Sequence, residues 1–378
     1  MGVRLLAGRG VGDGKRRRAR AVAPGVSRLF SPITVRGLTL PNRAWVSPMC
    51  QYSATDGFPG DWHLVHLGQF AAGGAGLVLT EATAVSPEGR ISPQDTGIWS
   101  DEHADAWRRI VDFVHGQDTA IGMQLAHAGR KGSTHRPWEG PGSVAPEDGG
   151  WESVGPSATA FGGYATPREL TTDEVSTLPE AFAQAARRAE NAGFDVLELH
   201  FAHGYLVHQF LSPLSNRRTD RYGGDFEGRT RLALEIADAV RATTELPLFA
   251  RLSATDWADG GWSADDSVRL AKLLAERGID LVDTSTGGNV PNPDIPVGPG
   301  YQVPFAERIR AEAGVPTGAV GMITDPHQAE EIIGRDQADV VFLARALLRD
   351  PHWPLRAANV LGADVRWPDQ YARAKSWH

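Results

Sequence analysis

The sequence predicts a single (β/α)₈ barrel, and three observations lead to this prediction. Eight short runs rich in leucine and β-branched residues alternate with amphipathic helical stretches, which is the order of elements in such a barrel. The runs are continuous stretches of leucine and β-branched residues, as expected for parallel strands covered on both faces. The first strand–helix turn reads Ser47-Pro-Met-Cys-Gln-Tyr52, which lacks the G-x-G-x-x-G fingerprint usual in the alternative fold, a doubly wound sheet.

The barrel elements can be assigned in chain order from these patterns. The predicted strands are residues 44–46, 76–80, 120–125, 194–199, 246–252, 279–283, 317–321 and 338–343. The predicted helices are residues 63–72, 102–116, 172–191, 225–243, 265–277, 304–312, 325–333 and 345–360. Thr171-Thr-Asp-Glu174 has the form of a capping box, which supports the start of the third of these helices.

Two segments fall outside the strand–helix alternation. Residues 29–40 alternate apolar and polar side chains around a glycine turn, which predicts a β-hairpin covering one end of the barrel. Residues 127–169 follow the third strand, contain no convincing helix and are rich in Gly, Pro and Trp. We expect this long excursion to form a lid over the catalytic end, with a packed surface insertion as the alternative.

Composition limits the classes of partner. Residues 1–25 are rich in glycine and arginine, and we expect a disordered basic tail there, or a polyanion contact, before one domain at 26–378. A net charge of -8 disfavours nucleic acid, and no apolar run is long enough for a membrane span. The one cysteine, Cys50, excludes a disulfide framework and favours a reducing, cytoplasmic location.

The candidate catalytic residues follow the fourth predicted strand. His200, His203 and Tyr205 lie within six residues, where a buried strand gives way to a loop. In a parallel α/β protein this end of a strand is where ligands bind. The two imidazoles could hold one oxygen atom between them, and the phenol could deliver a proton nearby. A structural role for each of the three is the alternative.

The last two strands predict a phosphate site. Gly321-Met322 and Ala344-Arg345 place small residues before helix starts, an arrangement by which barrels bind phosphate. With Gln124 and Arg251 reaching inward from other strands, the pattern suggests a phosphorylated planar cofactor, and FMN fits best. We find no lysine placed for a Schiff base, no carboxylate cluster for Mg²⁺ and no third ligand for a zinc ion at His200 and His203.

At this point the motifs resemble a known family. The chain from about Leu29 onward resembles the Old Yellow Enzyme family of FMN-dependent ene-reductases, and within it the thermophilic-like class that includes xenobiotic reductases. The resemblance rests on Ser47-Pro-Met-Cys-x-Tyr52, Gln124-Leu-x-His-x-Gly-Arg-Lys131, His200-x-x-His-Gly-Tyr205, the run from Leu211 to Gly224, and Gly318-Ala-Val-Gly-Met322.

The resemblance implies a role for each site residue. FMN would bind to Ser47, Pro48, Met49, Cys50, Ala82, Gln124 and Arg251, with its phosphate near Gly321, Met322, Ala344 and Arg345. His200 and His203, assisted by Tyr52, would bind the carbonyl or nitro oxygen of the substrate. NADPH or NADH would reduce FMN, whose N5 gives hydride to the β-carbon while Tyr205 protonates the α-carbon, in a ping-pong cycle. Cys50 would tune the flavin potential.

The resemblance also implies a homodimer or a dimer of dimers. Gln370-Tyr-x-Arg373 resembles a segment by which this class sends an arginine into the neighbouring subunit's site, so Arg373 would contact substrate in trans. The expected substrates are small molecules. Reduction of quinones, nitro compounds or xenobiotics at the same site is an alternative to enone reduction, and a cofactor-free lyase or isomerase on the same barrel is a more distant one.

Overall fold

The computed structural model describes residues 27–375. Its strands are β1 (Ile33–Val35), β2 (Leu38–Leu40), β3 (Ala44–Val46), β4 (Leu77–Ala84), β5 (Ala120–Ala126), β6 (Val154–Gly155), β7 (Arg168–Glu169), β8 (Val196–Phe201), β9 (Leu248–Ser253), β10 (Leu281–Ser285), β11 (Thr317–Ala319) and β12 (Val340–Leu343). Its α-helices are α1 (Asp61–Ala72), α2 (Asp101–His115), α3 (Thr172–Ala192), α4 (Leu206–Leu211), α5 (Phe226–Arg241), α6 (Ala264–Ala275), α7 (Val303–Ala313), α8 (Pro326–Gly334), α9 (Arg345–Arg349) and α10 (Trp353–Val360).

Eight of these strands form a closed parallel barrel, which confirms the predicted fold class. Their order is β3-β4-β5-β8-β9-β10-β11-β12, and β12 pairs back onto β3. The strand register sets polar residues side by side near the carboxyl ends. Gln124 of β5 pairs with Glu198 of β8, and His200 of β8 pairs with Arg251 of β9. Because parallel strands all end at the same rim, the register assembles the site.

The N-terminal hairpin closes the opposite end of the barrel. β1 and β2 pair antiparallel, as predicted. Val35 and Leu40 of this hairpin belong to the same buried cluster as Trp45, Phe249 and Phe342 inside the barrel. The Trp45 ring stacks on Phe249 with a 5.8 Å separation of ring centroids. Large aromatic side chains therefore fill the barrel under the hairpin, and the other end is left for the site.

The segment between β5 and β8 lies over the catalytic end, which confirms the lid rather than the surface insertion. It contains two 3₁₀ turns and the short β6–β7 pair, but no α-helix until α3. Trp138 meets Tyr52 edge-on at a centroid separation of 5.8 Å. Farther along the lid, the Phe161 ring lies 4.5 Å from the Lys131 ammonium.

The helix predictions are confirmed with two corrections. Thr171 accepts a hydrogen bond from the Glu174 amide at the start of α3, as its capping box predicts. The single helix predicted at 345–360 is wrong, because α9 and α10 are separated at Pro351, which has no backbone N–H to continue a helix. The short helix α4 was not predicted, since six residues are too few to show a helical period.

Two further expectations concern the N-terminal tail and a possible membrane-spanning helix. The predicted tail at residues 1–25 lies outside the described residues. Among the helices in the described range, none combines the length and the apolar character that crossing a bilayer requires.

Candidate active site

The His200–His203 pair stands where β8 leaves the barrel wall. His200 is the second-last residue of β8 and is buried, whereas His203 is half-buried in the turn that follows the strand. The centroids of the two rings are 5.2 Å apart. His203 has a φ of 59°, which is uncommon for a residue other than glycine. A Cβ on the next residue, Gly204, would collide with the Gly288 carbonyl oxygen, so only glycine fits this turn.

Both imidazoles are neutral at physiological pH. Burial lowers the pKa of His200 and of His203 well below the usual range, and the nearby Arg251 guanidinium lowers each pKa further. The Ala202 amide donates to Nδ1 of His200 at 3.3 Å, so the His200 proton is on Nε2. Nε2 of His203 lies 2.8 Å from the Ser285 hydroxyl. Each ring therefore has one N–H for donation.

Tyr205 completes the group after β8. Its ring lies 5.1 Å from that of His200, measured between centroids, and it packs on a small apolar cluster that also contacts Cys50 and Tyr52. Burial, followed by the neighbouring Cys50 and Tyr52, raises the pKa of its phenol well above the usual value. The phenol is therefore protonated throughout the physiological range, as a proton donor requires.

The turn after β3 brings Ser47 to Tyr52 to the same rim. The Ser47 amide donates to the Leu343 carbonyl at 2.9 Å, which holds this turn beside β12. Cys50 and Tyr52 then pack against the small apolar cluster that includes Ala82 of β4. Burial, the Asp95 carboxylate and the Glu81 carboxylate raise the pKa of the Cys50 thiol well above its usual value. Because thiolates rather than thiols are the nucleophiles, Cys50 is not set up for nucleophilic attack.

A buried polar network crosses the barrel beneath the histidines. Gln124 donates to Glu198 at 2.7 Å, and Nε of Arg251 lies 3.1 Å from the Asp283 carboxylate. Burial raises the pKa of both carboxyls, and the Asp283 carboxylate raises the pKa of Glu198 further. The described hydrogen bond of Glu198 orients the Gln124 amide.

The ends of β11 and β12 enclose a cavity of about 210 Å³. The predicted phosphate residues Gly321, Met322, Ala344 and Arg345 all line it. Gly321 has a φ of 116°, and a Cβ there would lie 2.7 Å from the Gln302 amide nitrogen. The positive φ and the Gln302 side chain, which already occupies the place of a Cβ, together require glycine at this bend of the cavity wall.

Arg373 is the predicted site residue that the described chain does not bring to the group. It is exposed in the 3₁₀ helix Asp369–Ala374. Tyr371 of this helix packs on His352 with a 5.5 Å centroid separation, and the helix borders a cleft of about 630 Å³ shared with residues 350–356. The lining of this cleft includes none of the residues assigned to the rim.

Three residues at the site were missed by sequence reasoning. Trp138 lies against Tyr52, Ser285 against His203, and Lys131 donates to the carbonyl oxygen of His203. Sequence reasoning gave Lys131 no place at the rim, whereas the 3₁₀ turn Gly129–Lys131 returns the chain to the site after β5. The available signal was the closing lysine of the motif that begins at Gln124.

Comparisons with known proteins agree with this arrangement. The model of the NADH:flavin oxidoreductase / NADH oxidase family matches residues 28–363. The NADPH dehydrogenase of Geobacillus thermodenitrificans is 50% identical over 348 residues, covering 91% of this chain and 98% of that protein. A morphinone reductase solved with tetrahydroNAD is 31% identical, with a TM-score of 0.73 over 90% of this chain and 92% of that one.

A 2-naphthoyl-CoA reductase complex shares the barrel at a TM-score of 0.81 and 25% identity over 89% of this chain, but this chain spans only 52% of its length. These matches establish an oxidoreductase that uses FMN as cofactor and NADPH as hydride donor. They also exclude the cofactor-free lyase or isomerase. By its family model and its full-length relatives, the chain belongs to the NADH:flavin oxidoreductase / NADH oxidase family, the Old Yellow Enzyme family that its motifs resemble.

Proposed function

We propose that this oxidoreductase reduces the activated C=C bond of α,β-unsaturated carbonyl or nitro compounds. The observation that carries the proposal is the convergence of two neutral imidazoles and one protonated phenol after β8. Bound FMN, once reduced by NADPH, supplies the hydride for the β-carbon. The chain's own residues have to bind the substrate oxygen and to provide a proton, and these three side chains suit both tasks.

The histidine pair polarises the substrate. One N–H from His200 and one from His203 donate to the carbonyl or nitro oxygen, with Tyr52 assisting. Negative charge grows on this oxygen as hydride reaches the β-carbon, so the two hydrogen bonds strengthen in the transition state. Neutral rings suit this role, because an imidazolium would be costly in a site that already holds the buried Arg251 cation.

Tyr205 gives its proton to the α-carbon. Hydride addition leaves electron density at this carbon, and the phenol O–H bond breaks as the new C–H bond forms, leaving a phenolate that regains its proton from water. The raised pKa keeps the proton on Tyr205 until the substrate is in place.

The residues expected to hold FMN suit it chemically. Gln124 and Arg251 present an amide and a guanidinium at the barrel floor, and the buried Nε of Arg251 has no aligned hydrogen-bond partner among the described residues. Ser47, Pro48, Met49, Cys50 and Ala82 would hold the remainder of the ring edge. The cavity at Gly321, Met322, Ala344 and Arg345 suits a phosphate because it combines exposed backbone with a cation.

Reduction of planar quinones or nitroaromatics is a second candidate at the same site. It is favoured by the Trp138 indole, which is 63% exposed beside Tyr52. An exposed indole at a pocket mouth offers a face on which a planar ring can stack.

A homodimer or dimer of dimers, with Arg373 acting in trans, belongs to the same proposal. Its support is that the segment of Arg373 packs on residues 350–356 and not on its own rim, with Tyr371 exposed next to it. A cytoplasmic location follows from the use of NADPH and from the free Cys50 thiol.

Anaerobic stopped-flow absorbance tests the proposed reaction. NADPH should bleach the flavin, and 2-cyclohexenone should then restore its colour. Bleaching without recovery on the enone, but with recovery on a quinone or nitroarene, would replace ene-reduction with the second candidate. Recovery with none of these would contradict both.

Replacing Cys50 with alanine is expected to lower the flavin midpoint potential by about 30 mV or more, which for two electrons is about 1.4 kcal/mol. A protonated thiol is a weak donor, and it stabilises the electron-rich reduced flavin more than the oxidised form. Spectroelectrochemical titration measures the potential. Cys50→Ser retains a hydrogen-bond donor and serves as the control. An unchanged potential in Cys50→Ala would show that the thiol has only a packing role.

A further inference from the structure

Lys131 joins two turns at the rim of the barrel. Its ammonium donates to the carbonyl oxygen of His203 at 2.8 Å and to that of Gly288 at 3.0 Å. These carbonyls belong to the turns after β8 and β10, and both residues have positive φ, 59° at His203 and 92° at Gly288. A Cβ on Gly288 would lie 2.6 Å from the His203 backbone, so the turns are pressed together. The two turns are in close contact with each other, and their carbonyl oxygens hold the Lys131 ammonium in place.

The charge of Lys131 is not neutralised by a carboxylate. No ion pair among residues 27–375 includes it, and its hydrogen bonds go to neutral carbonyls. Burial, with a smaller contribution from the Arg130 cation, lowers its pKa to about 8. A half-buried cation without an anion is costly, and carbonyl oxygens alone would be served equally by a neutral donor. A second role for the positive charge would explain why a lysine, and not a neutral hydrogen-bond donor, occupies this position.

The faces of two aromatic rings accompany the ammonium. The Phe161 ring lies 4.5 Å away and the Tyr205 ring 5.0 Å away, measured from Nζ to each centroid. A cation is attracted to a neutral ring, but it is attracted far more to a phenolate, which carries a full opposite charge. Of these two rings only Tyr205 can become an anion.

We propose that Lys131 is a positioning residue for proton donation, whose ammonium, held between the turns after β8 and β10, stabilises the negative charge that Tyr205 gains as it protonates the substrate. In this step the Tyr205 O–H bond breaks, the α-carbon takes the proton, and the phenolate stands beside the ammonium until water reprotonates it. The inference rests on the proposed ene-reduction, since it concerns the donor of that reaction.

The other ionisable groups near Lys131 are neutral or bound elsewhere, so stabilisation of the Tyr205 phenolate is assigned to Lys131. His200 and His203 are neutral because burial lowers the pKa of each well below its usual range. Arg130 is committed to the carbonyl oxygens of Thr159 and Asn289. The phenol of Tyr205 is the remaining facing group, and its pKa is raised by burial. Stabilising its anion is what a nearby cation does best in a low-dielectric site.

A double-mutant cycle on the holoenzyme tests the proposal. Lys131→Met should slow reoxidation of the reduced flavin by 2-cyclohexenone about tenfold, which is less than the rate usually lost with the proton donor itself. The substitution should leave flavin bleaching by NADPH unchanged. In a Tyr205→Phe background the same substitution should change reoxidation by less than about twofold, because the group that it assists is gone. Lys131→Arg retains the charge and should restore most of the rate.

Phenol binding separates the electrostatic role from a purely structural one. The charge-transfer band of a para-substituted phenol reports the His200–His203 pair without turnover. Its dissociation constant should stay within about threefold of wild type in Lys131→Met, whereas loss of binding in step with the rate, or an equal effect in the Tyr205→Phe background, would overturn the proposal. Failure of the wild-type enzyme to be reoxidised by the enone would instead overturn the proposed function.

The wild-type pH profile provides a test that needs no Lys131→Met protein. Lys131 is charged below its pKa of about 8 and neutral above it, so the reoxidation rate should fall as pH rises through that value. The Glu198 carboxyl also has a raised pKa because it is buried. Lys131→Arg keeps its charge there and should remove the fall, which distinguishes the two groups. A fall that persists in Lys131→Arg, or a flat wild-type profile, would refute the assignment.

Discussion

With His200 and His203 both replaced by alanine, the holoenzyme is expected to bind para-substituted phenols at least about 100-fold more weakly and to lose about 1000-fold or more in enone turnover. The reason is that each neutral ring contributes one N–H to a single oxygen, and a ligand oxygen left without both donors in a buried site has lost the hydrogen bonds of water without replacement. FMN should stay bound, because the residues expected to hold it are on other strands.

Titration of the long-wavelength charge-transfer band measures phenol binding, and flavin absorbance after gel filtration measures FMN retention. His327→Ala removes an exposed histidine from α8 and is the matched control. His203→Asn tolerates the φ of 59° and keeps an N–H, so it should retain much of the binding that His203→Ala loses. A band that survives in the double alanine variant would refute the role of the pair.

The fold was predictable from the sequence because its signals are local. The barrel strands are rich in leucine and β-branched residues, as in Val340–Leu343, and they alternate with amphipathic helices that the helical period reveals. Parallel strands have a common exit, so assigning the strands also gathers His200, Gln124 and Arg251 at one rim. The register that sets His200 beside Arg251 follows from barrel closure and not from any local signal.

The residues that sequence reasoning missed depend on long loops. Lys131 reaches the His203 carbonyl through a 3₁₀ turn, and Trp138 reaches Tyr52 from within the lid. Loops obey no short period, so their side chains cannot be placed from pattern alone. Arg373 illustrates a different limit: its proposed partner is a second subunit, which no pattern within one chain can position.

Replacing Tyr205 with phenylalanine is expected to slow reoxidation of the reduced flavin by 2-cyclohexenone about 100-fold to 1000-fold, while bleaching by NADPH stays within about twofold. Phenylalanine keeps the ring that packs against His200 and removes only the hydroxyl. The half-reactions differ because only the second one needs a proton at carbon. The first half-reaction, reduction by NADPH, requires no proton from Tyr205.

Anaerobic stopped-flow measures the two half-reactions separately in one preparation. Tyr164→Phe is the matched control, because this lid phenol packs on Phe161 at a 5.6 Å centroid separation yet has no assigned role in proton transfer. Its two rates should match those of wild type. Equal slowing of both half-reactions in Tyr205→Phe would indicate a distorted site and would refute the role of Tyr205 as the proton donor. Selective slowing that adding Lys131→Met increases by less than about twofold would place the phenol and the ammonium in one step.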